Sequence, residues 1–246
     1  MIHKPKINIL ADAQALAQTA VNLFSRRVRQ VVATKGLFRM AVSGGRTPRR
    51  FFELLGRSVV VADIPWAQCH VFWVDERFVP PTSDASNYKL AKETWLDHVP
   101  IPEANVHPVP TDVDNVEEAA DCYGHMIQRA FTLDRHGVPK FDFIMLGMGS
   151  DGHTASLFPG SELSYHLNDL ASAVSATDYS RITLTPSVIR AASFIVVLIS
   201  GADKADTLEA VLTEEPHERR WPIHLLWPVL DKVEWLVDRE AASRLL

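Results

Sequence analysis

Residues 141–158, FDFIMLGMGSDGHTASLF, give the clearest indication of the fold of this chain. Its first six residues, 141–146, are apolar nearly throughout, whereas a strand with one solvated face alternates. Such a run predicts a strand covered on both faces, as in a parallel sheet. Glycines follow at the end of the strand, where ligands bind in open α/β sheets. The stretch therefore predicts a parallel α/β sheet with a ligand site at its carboxyl edge.

The same succession of a β-branched run, a turn and a helical pattern recurs along the chain. Strand-like runs lie at 38–43, 69–74, 141–146, 181–185 and 194–200. Helical patterns lie at 12–35, 48–56, 86–97, 115–135 and 203–213, the first with Asp12 as N-cap and Gly36 as terminator. We predict an α/β fold, a doubly wound, mostly parallel sheet flanked by helices on both faces. Residues 1–246 are predicted to form a single domain.

The composition and net charge of the chain argue against several classes of function. The chain has 246 residues, 47% hydrophobic and 22% charged, with a formal net charge of −5. This balance is globular, and the negative charge gives no general attraction for nucleic acid or an anionic membrane. Cys69 and Cys122 form no C-x-x-C, the N-terminus lacks an apolar export signal, and no apolar run approaches the ~20 residues of a membrane span. We expect a cytoplasmic protein with a small-molecule substrate; a monomer is compatible with the sequence, which carries no signal for an oligomeric state.

The glycine turn Ser43-Gly44-Gly45-Arg46-Thr47-Pro48 follows the run at 38–43. Two glycines permit a sharp turn and a close backbone approach to a ligand, and Pro48 suits the first turn of a helix. A helix N-terminus offers free N–H groups to an anion, and arginines at 46, 49 and 50 lie in the same segment. We predict a phosphate site here; a plain strand–helix turn is the alternative.

Charged residues follow the run at 69–74. In Asp75-Glu76-Arg77, adjacent strand residues point to opposite faces, so a single inward carboxylate, assigned to Asp75, is expected beside Arg77. Surface ion pairs are the alternative. Downstream, Ser86-Asn87-Tyr88 resembles a helix cap, and Asn87 is predicted to reach the mouth of the site.

The glycine loop after 141–146 carries the chemistry. Gly147, Gly149 and Gly152 match the dinucleotide pattern G-x-G-x-x-G, which we reject because Phe158-Pro159-Gly160 interrupts the required helix and no acid-ended strand follows. Asp151 and His153 lie among these glycines. An imidazole can accept a proton from water near neutral pH, and a neighbouring carboxylate can orient it. We predict a catalytic His153–Asp151 pair, with Gly149 lining the site; a histidine that only caps a helix is the alternative.

Two further cations are candidates. Lys204 follows the strand-like run 194–200 in the first turn of a helix, where an anionic ligand would compensate the unfavourable dipole. Arg181, which opens its strand, is a weaker candidate, and a solvated side chain is the alternative for each. The other histidines show no partners and no H-E-x-x-H or similar spacing, so no metal is predicted.

Several blocks resemble the 6-phosphogluconolactonase family. They are SGGRTP (43–48), VDERFVP (74–80) with SNY (86–88), LGMGSDGHTASLFPGS (146–161), RITLTP (181–186) and GADKADTL (201–208). In fold the family resembles the glucosamine-6-phosphate deaminases and ribose-5-phosphate isomerases. The resemblance runs from about residue 8 to the tail, where WLVD (235–238) with Ala241 is similar to the family's closing strand and helix.

The resemblance implies hydrolysis of 6-phospho-D-glucono-1,5-lactone to 6-phospho-D-gluconate, the second step of the oxidative pentose phosphate pathway, without a cofactor. It implies that His153 is the general base with Asp151 as its neighbouring carboxylate. It also implies that the Ser43–Thr47 turn, Arg77 and Lys204 contact the substrate and its phosphate. Arg46 departs from the family pattern, which usually reads SGGSTP.

Two rival functions are weighed against this one. Amino-sugar phosphate deaminases resemble the chain but carry a glutamate five residues after the histidine, where this chain has Phe158. A sugar-phosphate-sensing domain of a transcriptional regulator would need a DNA-binding module, and no helix-turn-helix pattern precedes residue 38. Lactone hydrolysis is therefore the favoured prediction.

Overall fold

The computed structural model of the protein describes residues 5–57, 63–134, 136–160 and 169–246. The strands are β1 (Ile7–Leu10), β2 (Phe38–Val42), β3 (Cys69–Trp73), β4 (Asp75–Arg77), β5 (Val106–His107), β6 (Phe143–Gly147), β7 (Ala171–Val174), β8 (Arg181–Leu184), β9 (Ile195–Ile199) and β10 (Val233–Asp238). The α-helices are α1 (Ala13–Lys35), α2 (Arg46–Arg57), α3 (Asn87–Thr94), α4 (Val116–Ala130), α5 (Pro186–Ala191) and α6 (Ala205–Thr213).

Seven strands form one parallel sheet in the order β1-β10-β9-β6-β2-β3-β5. A smaller sheet, β4-β8-β7, is antiparallel. In the large sheet β9 is buried along its whole length, and β6 is buried except at Gly147. Both faces of these central strands are therefore covered, as the unbroken apolar runs predict. The predicted fold class, an α/β protein on a mostly parallel sheet, is confirmed.

Helix α1 begins and ends as its sequence predicts. The Asp12 side chain accepts a hydrogen bond from Ala15 N at 2.8 Å, and Gly36 ends the helix with φ of 72°. Phe24 of α1 packs edge-on against Phe51 of α2 and Phe143 of β6, with ring centroids 5.8 and 5.5 Å apart. These contacts fix α1 and α2 against the sheet, and so place the beginning of α2 at its carboxyl edge.

The run at 181–185 forms a strand outside the parallel sheet. β8 pairs antiparallel with β4 and β7, and its polar residues Arg181 and Thr183 break the apolar pattern of the central strands. Asp75–Arg77, expected as the end of the preceding strand, form the separate strand β4. Three strands were not predicted, because their segments are short or of mixed polarity. β1 and β5 form the edges of the large sheet, and β7 lies in the small sheet.

The five predicted helical regions form α1, α2, α3, α4 and α6 with shifted ends, whereas α5 was not predicted. α2 begins at Arg46 instead of 48, and α6 begins at Ala205, after a 3₁₀ turn over Ala202–Lys204. The pattern at 115–135 gives a helix that ends at Ala130, and Arg135 lies outside the described residues. After β10 the chain forms turns where the resemblance implies a closing helix. None of the described helices has the length and apolar character needed to cross a lipid bilayer.

Candidate active site

A cavity of about 720 Å³ opens at the carboxyl edge of the large sheet, where β2, β6 and β9 end. Its lining includes every residue predicted for the site except Asp151, which lies behind His153. The predicted residues that line it are Ser43, Gly44, Gly45, Arg46, Thr47, Asp75, Arg77, Asn87, Gly149, His153, Arg181 and Lys204. Segments far apart in the sequence thus meet in one cavity because parallel strands end at the same edge.

The two glycines of the turn after β2 serve different purposes. Gly45 has φ of 106°, a conformation that side chains disfavour. Gly44 lies against Asn87, so that a Cβ on Gly44 would stand 1.8 Å from Asn87 Oδ1. Helix α2 starts directly after this turn, and its first N–H groups have no intrahelical acceptor. The turn therefore presents backbone donors to the cavity.

Asp75 and Glu76 point to opposite sides of β4, as strand alternation predicts. Asp75 lines the cavity, and its Oδ2 accepts a hydrogen bond from Ser156 Oγ at 2.7 Å. Glu76 instead caps α3, because its carboxylate accepts from the backbone N of Asn87 and of Tyr88, each at 2.8 Å. Burial raises the pKa of Glu76 despite these hydrogen bonds. Glu76 is thus a structural cap, and it fixes Asn87 at the cavity wall.

His153 and Asp151 form a hydrogen-bonded pair. Asp151 Oδ1 lies 2.6 Å from His153 Nδ1 and also accepts from the backbone N of His153 at 3.1 Å. Burial alone would raise the pKa of Asp151, but the hydrogen bonds from His153 outweigh it and lower that pKa to about 2. The ionised carboxylate can only accept, so Nδ1 carries the ring hydrogen and Nε2 of the neutral imidazole holds the free lone pair.

The loop that carries this pair is closely packed. A Cβ on Gly149 would stand 2.1 Å from His153 Nδ1, and one on Gly152 would stand 2.5 Å from the ring of Trp221. Ile223 N donates to Gly152 O at 3.1 Å, which ties the loop to the segment before β10. The described part of this loop, from 148 to 160, contains no helix. The helix that a dinucleotide-binding loop requires is therefore not found in this part of the chain, and His153 does not cap a helix.

Three of the cations that line the cavity, Arg77, Arg181 and Lys204, have distinct environments. Arg77 Nη1 donates to the carbonyl of Ala85 at 2.8 Å. Arg181, which is 8% exposed, lies over the ring of Phe158 at 5.4 Å. Lys204 Nζ lies 3.3 Å from Asp203 Oδ2 in an ion pair. Arg46 is different, because its side chain is 88% exposed at the rim and pairs with the same Asp203.

Four polar atoms of cavity residues are buried without a hydrogen-bond partner among the described residues. They are Ser43 Oγ, Asn87 Oδ1, Arg77 Nε and Arg181 Nε. A buried polar group without a partner costs about 1–3 kcal/mol, so four on one cavity are expected where a polar ligand binds. Two hydroxyl- or amide-type groups and two guanidinium groups suit a hydroxylated anion.

Sequence reasoning missed the part of the cavity wall near β1 and β10. Asp12 and Gln14 line the cavity after β1, and Asp238 does so at the end of β10. Asp238 is buried and accepts from Gly201 N at 3.1 Å, so it holds the turn that carries Lys204. Only the strand order β1-β10-β9 brings these residues to the site. A prediction of β1 as a strand would have indicated that the residues following it, Asp12 and Gln14, lie at the site.

The prediction that the other histidines have no partners is wrong for several of them. The rings of His98, His217 and His224 each form a hydrogen bond with a backbone group, and two further histidines pair with each other. His70 Nδ1 and His107 Nε2 are 3.0 Å apart, and their rings stack at 5.3 Å on the neighbouring strands β3 and β5. The sequence could not show this because the two strands are separated by α3. Among the residues that the structure describes, no three His, Cys, Asp or Glu side chains are grouped so that they could hold a metal ion.

Comparisons with known proteins show the family of this chain. Residues 11–235 match the family described as glucosamine-6-phosphate isomerases/6-phosphogluconolactonase. The chain is 34% identical over 241 residues to a 6-phosphogluconolactonase of Synechocystis sp., covering 98% of each chain. A counterpart from Nostoc sp. is also 34% identical, with 98% of this chain and 99% of that protein covered. The solved 6-phosphogluconolactonase of Trypanosoma cruzi superposes with a TM-score of 0.87 at 28% identity, covering 100% of this chain and 98% of that one.

Proposed function

Because the chain belongs to the glucosamine-6-phosphate isomerase/6-phosphogluconolactonase family, we propose that it hydrolyses 6-phospho-D-glucono-1,5-lactone to 6-phospho-D-gluconate, the second step of the oxidative pentose phosphate pathway. The proposal rests on one observation: the His153–Asp151 pair lies at a cavity whose lining includes Arg77, Arg181 and Lys204. A cyclic ester with a phosphate needs a base for water at one end and positive charge at the other.

His153 acts as the general base. Its Nδ1 is engaged by Asp151, so Nε2 takes the proton from a water molecule that attacks the lactone carbonyl. Asp151 holds the ring in this tautomer and stabilises the imidazolium that forms. The ring-opening oxygen then recovers a proton from the imidazolium, which restores the neutral histidine. No covalent intermediate and no metal enters this route, since a lactone is already an activated ester.

Backbone donors and cations supply the rest. The N–H groups of the turn after β2 and at the beginning of α2 stabilise the oxyanion, at about 3–4 kcal/mol for a well-placed donor. Arg77, Arg181 and Lys204 hold the phosphate at a distance from the carbonyl, so binding there orients the reacting ester. Asp75 and Asn87 contact the sugar hydroxyls.

Phe158 supports hydrolysis over deamination. The position that carries a glutamate in the deaminases is occupied here by this phenyl ring, whose centroid is 4.8 Å from that of His153. A phenyl ring cannot transfer the proton that ring opening of an amino sugar requires.

We place the enzyme in the cytoplasm, because Cys69 and Cys122 are free thiols, as a reducing compartment favours.

The test is the decay of freshly generated phosphorylated lactone with and without the protein, followed by a coupled dehydrogenase. The wild-type protein should accelerate the decay in the presence of excess EDTA. His153→Ala should lower kcat by about 10²–10⁴-fold while the protein stays folded. His125→Ala is the matched control, since His125 is exposed on α4 and does not line the cavity. Near-wild-type kcat in His153→Ala, or release of ammonia from glucosamine 6-phosphate, would contradict the proposal.

A further inference from the structure

A second concave surface lies beside the substrate cavity, along helix α2. This α2 groove has a volume of about 550 Å³, and its lining includes Arg46, Arg49, Arg50, Glu53, Leu54 and Arg57. Four of these side chains are cations and one is an anion. The whole chain carries a net charge of −5, so the groove concentrates positive charge against the overall balance.

The arginines are placed against the electrostatics of their own helix. Arg46, Arg49 and Arg50 lie within the first five residues of α2, and its first turn contains no acidic residue. The helix dipole favours anions at this end, and cations three or four residues apart repel one another. Arg57, in the last turn, is placed favourably. The three N-terminal arginines therefore lower the stability of α2 unless an anion binds beside them.

The protein itself offers these cations little compensation. Arg49, Arg50 and Arg57 are exposed, and their side chains form no hydrogen bond or ion pair with another of the described residues. Arg46 has one partner, Asp203 at 3.2 Å, in a pair whose side chains are 88% and 48% exposed. Such an exposed pair contributes little. The guanidinium groups of Arg49, Arg50 and Arg57 are therefore available to a ligand as far as the described residues are concerned.

The groove is continuous with the substrate cavity, because Arg46 and Arg50 line both. Arg49 and Arg57 line only the groove. The rise of an α-helix places residues 46 and 57 about 16 Å apart along the axis. A ligand that contacts both ends must be extended and carry several negative charges. Planar guanidinium groups bind phosphate oxygens bidentately, which favours phosphate over a single carboxylate.

We propose that the α2 groove binds a linear oligophosphate, either free or as the polyphosphate tail of a nucleotide, with one end at the shared arginines of the cavity mouth. A bound oligophosphate obstructs entry to the cavity and competes with the phosphorylated substrate. The small, concave groove suits a small molecule better than an acidic protein segment, which would need a wider surface. Only the competition rests on the function proposed above; binding does not.

Binding is measured by isothermal titration calorimetry with three probes: inorganic tripolyphosphate, ATP without magnesium, and adenosine. The proteins are the wild type, Arg49→Gln/Arg57→Gln, and the matched charge control Arg26→Gln/Arg29→Gln. Arg26 and Arg29 are exposed on α1 and line neither cavity nor groove. Tripolyphosphate should bind the wild type and the control equally, and the groove variant at least tenfold more weakly. If ATP binds and adenosine does not, the polyphosphate tail of a nucleotide is a second source of the bound oligophosphate.

Three results would overturn the proposal: equal tripolyphosphate binding by all proteins, equal weakening in both double variants, or no binding to the wild type. Binding of a polyglutamate peptide in the absence of tripolyphosphate binding would make the groove a protein interface instead. In the lactone assay, the groove variant should keep wild-type kcat and KM and lose inhibition by tripolyphosphate. If no protein hydrolyses the lactone, the proposed function fails while the calorimetric result stands.

Discussion

Arg77 and Arg181 lie directly opposite each other on the antiparallel strands β4 and β8. Like charges at opposed positions of a sheet repel. Arg181 is held by both carboxylate oxygens of Asp178, at 2.9 and 2.7 Å, whereas the Arg77 side chain donates, among the described residues, only to the neutral carbonyl of Ala85. This pair thus retains excess positive charge at the cavity wall, which a substrate phosphate would neutralise.

Removal of one of these cations should affect substrate binding more than turnover. We expect Arg77→Ala to raise KM for the phosphorylated lactone by about 10–100-fold, since hydrogen bonds to a charged group contribute about 1.5–3 kcal/mol. The change in kcat should be smaller, because the proposed mechanism assigns Arg77 to the phosphate and not to the reacting carbonyl. Steady-state kinetics provide the measurement, with Arg26→Ala as a surface control. An unchanged KM would exclude Arg77 from the phosphate site.

The carboxylate of Asp151 should be needed for the tautomer of His153 as well as for its orientation. In Asp151→Asn the amide can donate to the ring, which favours the tautomer with its hydrogen on Nε2 and no lone pair for water. We expect kcat to fall by about 10²-fold or more with little change in KM. Nitrogen NMR of the histidine ring should show the hydrogen on Nδ1 in the wild type. Wild-type kcat in the variant would refute this role.

The contact between Gly44 and Asn87 should tolerate no side chain. A Cβ on Gly44 would stand 1.8 Å from Asn87 Oδ1 and 2.9 Å from Asn87 Cβ, so Gly44→Ala must displace the beginning of α3. We expect a loss of about 1–3 kcal/mol in the free energy of unfolding, together with reduced activity.

Gly124→Ala is the matched control, because Gly124 lies inside α4 and its added Cβ would meet only Leu170 Cβ at 4.0 Å. Alanine there should raise the free energy of unfolding by about 0.5–1 kcal/mol. Urea denaturation measures both changes. Equal stability of the two variants would show that α3 shifts without cost.

The His70–His107 pair should make stability fall in mild acid. Burial, the charge of His70 and that of Arg39 lower the pKa of His107 to about 4, and burial with Arg39 also lowers the pKa of His70. The unfolded chain, with histidine pKa values near 6.5, therefore binds protons first as the pH falls. The free energy of unfolding should drop by about 1–2 kcal/mol between pH 6.5 and 4, both rings being partly exposed.

This pH dependence is measured by urea denaturation at several pH values. His107→Gln removes the titrating ring at position 107 and should flatten the slope between pH 6.5 and 4. The exposed His125→Gln serves as the control and should leave the slope unchanged. A slope equal to that of the wild type in His107→Gln would show that other groups cause the acid sensitivity.

The sequence predicted the elements that are strongly patterned. The apolar runs that became β2, β3, β6 and β9 are the buried centre of the large sheet, where pattern and burial coincide. Glycine turns and polar residues after these strands predicted the cavity lining, because parallel strands bring their ends together. The edge strands β1 and β5 are short and partly exposed, so their patterns are weak. The prediction of β8 placed it in the wrong sheet, since pairing partners are not encoded in a run of four residues.

The amino-acid pattern was sufficient to predict a parallel α/β sheet, with glycines, a histidine and several cations after its strands. These are local properties, set by backbone conformation and by the period of apolar residues. Three relationships appear only in the folded chain: Glu76 caps α3, Asp12 and Asp238 join the cavity wall, and the α2 groove opens into the mouth of the cavity. Those relationships depend on strand order and helix packing. Both bring together residues that are distant in the chain, so no short segment of the sequence encodes them.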